Sequence, residues 1–430
     1  MYRTKKYVSR TNKIKKYKLK TLKTRKSNTI KMNTTKFTAR IIIKDNVGGI
    51  VVDKDTIKEI LESIGGKVEV VIYNDIKNNM KNYMKSHTKY KNVNIQIFIE
   101  HVILEYPLET FPADKSYIFV NQEYIQDWDI DRMLDKNKSQ SIIPLCKTHE
   151  SLKTLHNIDI TNAKYVGFGN NRKFAYMDSD KISKIPNLFI HIVGASPMKG
   201  TRTLIDTWIT KKIMHPLIIT ANNKSSGNTN LFNYWKSLDP KVKPLPEPVL
   251  KKWEEWVKIS NTVAVLPHFE TIDSCSIFFC GSVLDYNVIQ FLQSDADVHM
   301  CPSLIEGWGQ YIDEGRRSKS VVLTLDAPPM NELVRDGSTG ILVKAYKGPS
   351  MKSLLPFGWK QYFTKNIDYN TFLYGTYKTT INDLYNGISR ILKMSLESKR
   401  QLGENAFTQS QKDYVEFSKQ FSKMILDEVK

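Results

Sequence analysis

The stretch from Cys301 to Glu314 reads Cys-Pro-Ser-Leu-Ile-Glu-Gly-Trp-Gly-Gln-Tyr-Ile-Asp-Glu and sets two carboxylates, Glu306 and Glu314, eight residues apart. The first falls in a Gly-rich turn after an apolar run, and the second just over one turn into a helix. Gly307 and Gly309 let the backbone come close to a ligand, and a helix start offers free N–H groups to an anion. So placed, one carboxylate can accept hydrogen bonds from sugar hydroxyls while the other holds a second hydroxyl pair. Taken alone, the pair also fits a turn residue followed by a solvated helix residue.

A second strand-turn-helix signal runs from Gly194 through Ser196, Lys199 and Gly200 to Thr201. It is not a P-loop, because Lys199 precedes its glycine instead of following the last one. A lysine at a helix start suits a departing anion, and it equally suits an ordinary surface turn. Gly48-Gly49 follows the first apolar run, and His101 ends the run from Val93 to Glu100, with His149 and His191 as competing histidines. No zinc-protease, paired-cysteine, serine-elbow or complete dinucleotide motif is present. The series Asp127, Asp129 and Asp131 lacks the glycine and distal glutamate of a calcium loop, so no metal site is expected.

The chain of 430 residues carries a formal charge of +20. Its first 40 residues hold fifteen Lys and Arg and no acidic residue, so the remainder, with 49 basic and 44 acidic groups, is nearly balanced. Residues 1–38 form a basic tail expected to be disordered, fit for nucleic acid through counterion release or for an anionic membrane. A solvated tail with no fixed partner explains the same run. It lacks the apolar core of a secretory signal, and no apolar run is long enough to cross a membrane. Cys146, Cys275, Cys280 and Cys301 are too few and too scattered for a disulfide scaffold, so reduced, buried thiols and a cytoplasmic location are expected.

Behind these residues, short apolar runs alternate with amphipathic stretches, the pattern of α/β units around parallel sheets. The first half predicts strands at residues 40–44, 68–73, 93–99, 117–120 and 141–145, with a helix over 53–64 that Gly65-Gly66 stops. The second half predicts strands at 188–193, 215–220, 276–280, 297–300 and 320–325, with helices at 201–208, 285–293 and 309–317. Residues 222–258 read as an irregular insertion around a Trp-rich helix at 251–257, and 344–377 as an irregular loop. Two helices close the chain, 381–394 and an interrupted one over 396–429. The domains expected are 39–185, 186–394 and a final helix over 395–430.

From Asp297 to Val343 the sequence resembles the nucleotide-sugar site of the family 4 (group 1) glycosyltransferases. The match runs from Pro302-Ser303 through Glu306-Gly307-Trp308-Gly309 and Glu314 to Asp326-Ala327-Pro328-Pro329-Met330-Asn331-Glu332-Leu333-Val334, and ends in Gly337-Ser338-Thr339-Gly340-Ile341-Leu342-Val343. The style of residues 326–332 is similar to that of relatives in giant viruses and eukaryotes. The resemblance implies the GT-B fold, two doubly wound Rossmann-like domains facing across a cleft, with the last helix crossing back to the first domain. It implies retaining transfer from a nucleotide-diphosphate sugar to a hydroxyl of a glycan, protein or lipid, with no cofactor and no metal. Glu306 then meets the sugar hydroxyls, Glu314 the ribose, and Lys199-Gly200 the diphosphate. Ser196, Gly307, Trp308 and Gly309 join the donor site, Gly48-Gly49 approaches the phosphate from the first domain, and His101 stands near the reacting sugar. Two departures stand out. Gly315-Arg316-Arg317 replaces small residues of the family, and Ala195-Ser196 stands where the family carries an arginine. A basic tail acting on an inactive GT-B scaffold is the alternative function.

Overall fold

The structure, a computed structural model, describes residues 37–44, 48–72, 88–101, 112–121, 129, 133, 142–157, 159–172, 184–194, 196–260, 265–272, 275–350 and 375–430. Residues 1–36 of the expected tail, the aspartates at 127 and 131, and residues 351–374 of the expected loop lie outside them, while Phe37 and Thr38, expected in the tail, begin the first strand.

Six strands make the first sheet: β1 (Phe37–Ile43), β2 (Gly66–Ile72), β3 (Val93–Glu100), β4 (Ala113–Val120), β5 (Ile142–Cys146) and β6 (Lys164–Tyr165), in the order β2-β1-β3-β4-β5-β6. Every pair is parallel. Near-continuous apolar runs such as Ile41-Ile42-Ile43 are what a sheet covered on both faces demands. The buried Arg40 in β1 is the exception, and Glu69 at 2.6 Å and Gln96 at 3.3 Å satisfy it. Helix α1 (Gly48–Ser63) follows β1, and α2 (His149–His156) follows β5.

The second sheet contains β7 (Ile185–Gly194), β8 (Leu217–Ala221), β9 (Lys241–Lys243), β10 (Phe269–Thr271), β11 (Ile277–Cys280), β12 (Ala296–Cys301), β13 (Val321–Leu325) and β14 (Ile341–Val343). Their order is β14-β13-β12-β7-β8-β11-β10-β9, parallel except for the β11-β10-β9 edge. Among its helices are α3 (Thr201–Thr210), α4 (Thr229–Lys236), α5 (Glu247–Ser260), α6 (Tyr286–Asp295), α7 (Gln310–Arg317) and α8 (Met330–Leu333). The hairpin β15 (Tyr346–Ser350) and β16 (Gly375–Lys378) precedes α9 (Ile381–Leu392) and α10 (Leu396–Glu428).

Strand order reverses at one place in each sheet, between β1 and β3 in the first and between β7 and β12 in the second. At such a switch point the connections leave in opposite directions, and the carboxyl ends of the two strands open a crevice.

Four sequence expectations are corrected. Helix α1 begins at Gly48 instead of residue 53, so Gly48-Gly49 forms its first turn. Gly48 enters it with φ 55°, a conformation that costs glycine little. Residues 222–258 are regular: α4 and α5 flank an antiparallel extension of the sheet, with Pro248 tolerated in the first turn of α5. The expected loop after residue 344 contains the β15–β16 hairpin. Helix α10 runs unbroken for 33 residues. Its Gly403 is there for close approach, since a Cβ would sit 2.1 Å from the Lys319 carbonyl oxygen.

Helix α10 spans both sheets. Arg316 meets it at Asp413, while Phe417 and Phe421 pack edge-on against Phe119 of β4 at 6.1 and 5.5 Å. All four cysteines are buried free thiols, and burial pushes Cys146 up to about 12. Among the described residues no helix is long and apolar enough to cross a membrane.

Candidate active site

The switch point of the second sheet carries two loops, residues 194–200 running from β7 to α3 and residues 302–309 running from β12 to α7. They are stitched together. The Leu304 N–H donates to the Met198 carbonyl at 2.8 Å, and the Tyr377 N–H of β16 donates to the Leu304 carbonyl at 2.7 Å. Gly200 has φ 70°, and a Cβ there would lie 2.1 Å from the Pro302 carbonyl oxygen, so only glycine lets the loops touch.

This contact brings Lys199 and Glu306 into an ion pair. The Ser303 hydroxyl donates to the same Glu306 oxygen and also pairs with the Tyr311 hydroxyl. Lys199 Nζ stands 4.3 Å over the Tyr311 ring. Glu306 is buried, so its charge depends on these partners. Glu314 takes hydrogen bonds from Gln293 at 2.6 Å and Gln310 at 3.2 Å. Burial pushes its carboxyl up, against the pull of those two amides and the Arg172 charge.

From the first sheet, α1 presents Gly48 and Gly49 to the same cleft. A Cβ at Gly49 would fall 2.4 Å from the Gln310 side-chain oxygen, so the glycine lets the two halves approach. The cleft has a volume of about 680 Å³, and its walls include Gly48, Gly49, Ser196, Lys199, Glu306 and Glu314. His101 is not among the lining residues; its Nδ1 lies 3.2 Å from Asp129. Glu100, the residue before it, lines the cleft instead. Gly307 lies against Asn121 of the first half, and Gly309 caps α7 with φ 100°. Trp308 turns away from the cleft and packs edge-on against Phe168 at 4.9 Å.

The competing histidines have structural partners. His191 is buried in β7 between the Met300 carbonyl at 2.7 Å and the Thr201 hydroxyl at 2.9 Å, and burial lowers its pKa to about 4. His149 begins α2, where Glu332 from the second half accepts the backbone N–H groups of His149 at 2.8 Å and Glu150 at 3.0 Å. That carboxylate also suits the positive end of the helix.

The Gly315-Arg316-Arg317 departure joins the halves. Gly315 leaves room for the His299 ring, and Arg316 is fully buried between Asp313 and Asp413. Arg317 donates to the carbonyls of Asn170 and Arg172, and Asn170 Nδ2 donates to Asp313 at 2.9 Å. Arg172, held in this way, enters the cleft with its guanidinium 4.3 Å from the Tyr286 ring. Glu100, Arg172, Tyr286, Gln293 and Gln310 are cleft residues that sequence reasoning missed. Of these, only Gln310 carried a signal, being one helical turn before Glu314. Among the described residues no three His, Cys, Asp or Glu side chains gather to hold a metal ion.

No family model matches the chain, and no curated protein matches it in sequence. Solved structures do. A glycosyltransferase from Rickettsia africae is 12% identical, with a TM-score of 0.57 over 92% of this chain and 99% of that one. Sucrose-phosphate synthase from Thermosynechococcus elongatus is 14% identical, with a TM-score of 0.55 over 90% of this chain and 98% of that one. Anabaena HepE, solved in complex with UDP-glucose, is 12% identical, with a TM-score of 0.52 over 91% of this chain and all of that one. These matches give the viral reading of residues 326–332 no support. The fold that the sequence resemblance implied is the one the structure has: the chain has the GT-B fold and is similar in structure to glycosyltransferases.

Proposed function

We propose that the chain is a retaining glycosyltransferase that moves a sugar from a nucleotide-diphosphate sugar to a hydroxyl of a glycan, protein or lipid, without a metal. One observation carries this reading. Lys199 and Glu306, 107 residues apart, meet at the switch point of the second sheet, beside the start of α3. A cation and a helix N-terminus hold a departing diphosphate, and the adjoining carboxylate grips sugar hydroxyls. Structural similarity to HepE, which binds UDP-glucose, supports a nucleotide sugar as the donor.

In this reading Glu314, oriented by Gln293 and Gln310, holds the ribose. Arg172 supplies the second cation that Ala195 and Ser196 do not. Gly48 and Gly49 bring the N-terminus of α1 to the phosphates from the first half. Gly307 and Gly309 keep the loop close, and Trp308 braces it from behind through Phe168. The bond from sugar C1 to the diphosphate oxygen breaks with its electron pair leaving on the diphosphate. An acceptor oxygen bonds to C1 on the same face, and its proton passes to the departing phosphate. The four buried thiols suit a cytoplasmic setting, and residues 1–38 would tether the enzyme to an anionic surface or nucleic acid.

The test is nucleoside diphosphate release from a panel of nucleotide sugars without added metal. One donor should be turned over, and Glu306→Ala and Lys199→Ala should each lower its rate by about 100-fold to 1000-fold. Full activity in Glu306→Ala would refute the sugar contact, and failure of the wild type to bind any donor would refute the reading as a whole.

A further inference from the structure

Six described non-glycine residues have positive φ. Asp159, Lys212, Asp239 and Lys319 lie two or three residues beyond helix ends, where left-handed backbone is the common stop. Asn187 is an asparagine, the type that best tolerates that conformation, and Lys399 holds its side chain at 2.5 Å. Glu100, with φ 70°, differs from all five. It is a long side chain at the end of a strand, and it lines the cleft at the switch point of the first sheet. Strain of this kind persists only where the surroundings enforce it, and it gathers at working sites.

The surroundings here are specific. Asn121, at the end of β4, donates its Nδ2 to Glu100 Oε1 at 2.9 Å. The other face of that amide fills the space left by Gly307, where a Cβ would stand 1.6 Å from Asn121 Oδ1. Asn121 therefore wedges Glu100 against the loop that carries Glu306. Among the described residues no group donates to Glu100 Oε2. A carboxylate only accepts hydrogen bonds, and its charge repels a diphosphate. Glu100 thus suits the hydroxyl end of the cleft and not the phosphate end.

We infer that Glu100, and not His101, is the first-half group at the reacting carbon, and that its Oε2 accepts the hydrogen bond of the incoming acceptor hydroxyl. This rests on the transferase reading above. Glu100 aims the acceptor oxygen at C1 while the C1–phosphate bond breaks; the hydroxyl proton goes to the departing phosphate, so Glu100 ends the step unchanged.

The test uses water, the simplest acceptor, together with a panel of methyl glycosides. Turnover and affinity for the intact donor are measured for wild type and for Glu100→Gln and Glu100→Asn, along with melting temperatures. Glu100→Gln should lower turnover by about 100-fold with donor affinity unchanged or tighter. Glu100→Asn should be as inactive, yet melt no lower than wild type, because asparagine fits the left-handed backbone. Wild-type turnover in Glu100→Gln overturns the inference, and so does loss of donor affinity, which would make Glu100 a donor contact. A lower melting temperature for Glu100→Asn also overturns it, by making the carboxylate a packing group. If the wild type neither binds nor turns over any donor, the transferase reading fails and takes this inference with it. If wild-type activity is lost in Glu306→Ala and kept in Glu100→Gln, only the inference fails.

Discussion

The two halves build their sides of the cleft differently. In the second half, Lys199 and Glu306 stand on two short connections that are locked to each other by Leu304, Gly200 and Pro302, each connection ends in a helix start, and Glu314 lies in the helix that follows the second. In the first half, Gly48 opens the helix after β1, Glu100 ends β3 and Asn121 follows β4, three segments far apart in the chain. In the proposed transferase, an anion side needs N–H groups, glycine and charge at close spacing, which concentrates it in sequence, whereas positioning a hydroxyl needs one acceptor atom in one place, which leaves no pattern.

If that contrast is right, the largest effect should come from the seam between the two second-half loops. Gly200→Ala puts a Cβ against the Pro302 carbonyl in a left-handed backbone. It should abolish detectable donor binding and cost about 4 kcal/mol or more in urea unfolding. Wild-type donor binding in this variant would show that the seam does not set the donor side. Next is the junction between halves. Arg316→Met strips the partner from buried Asp313 and half-buried Asp413 and should cost about 3–4 kcal/mol by the same measurement. A loss below 1 kcal/mol would mean that α10 docks through its phenylalanines alone.

The smallest effect is confined to acid. His191, with a pKa of about 4 in the folded chain, stays neutral after an unfolded histidine has taken its proton near 6.5. Protons then favour the unfolded state, so this residue's contribution is intact above pH 6.5 and falls as pH drops toward 4. The stability difference between wild type and His191→Gln should shrink by up to about 3 kcal/mol over that window. Asp295, raised to about 6 by burial, pulls the other way in both proteins and cancels in the comparison. A pH-independent difference would show that His191 titrates normally.

The second-half side of the cleft was legible because its features are local. Strand, glycine, lysine and helix start follow one another at Gly194–Thr201, and carboxylates recur at Glu306 and Glu314. The alternation of apolar and amphipathic runs likewise located most strands of both sheets and the buried thiols. Hidden from it were features set by distant partners. Gly403 reads as a helix breaker until the Lys319 carbonyl is seen beside it, and Gly315-Arg316-Arg317 reads as poor packing until Asp413 and Asn170 arrive.

The same division separates His101 from Glu100. Side chains alternate along a strand, so sequence alone could bring the chain to this strand end without deciding which neighbour faces the cleft. The left-handed turn at Glu100 decides it, sending His101 to Asp129 and Glu100 to the cleft, and tertiary contacts from Asn121 and Gly307 brace that turn. Local residue chemistry determined the two-sheet fold and the Lys199, Glu306 and Glu314 side of the cleft, because N–H groups, glycines and charges act over a few residues. Which side chain at the end of β3 faces the cleft was decided by packing between strands far apart in the chain.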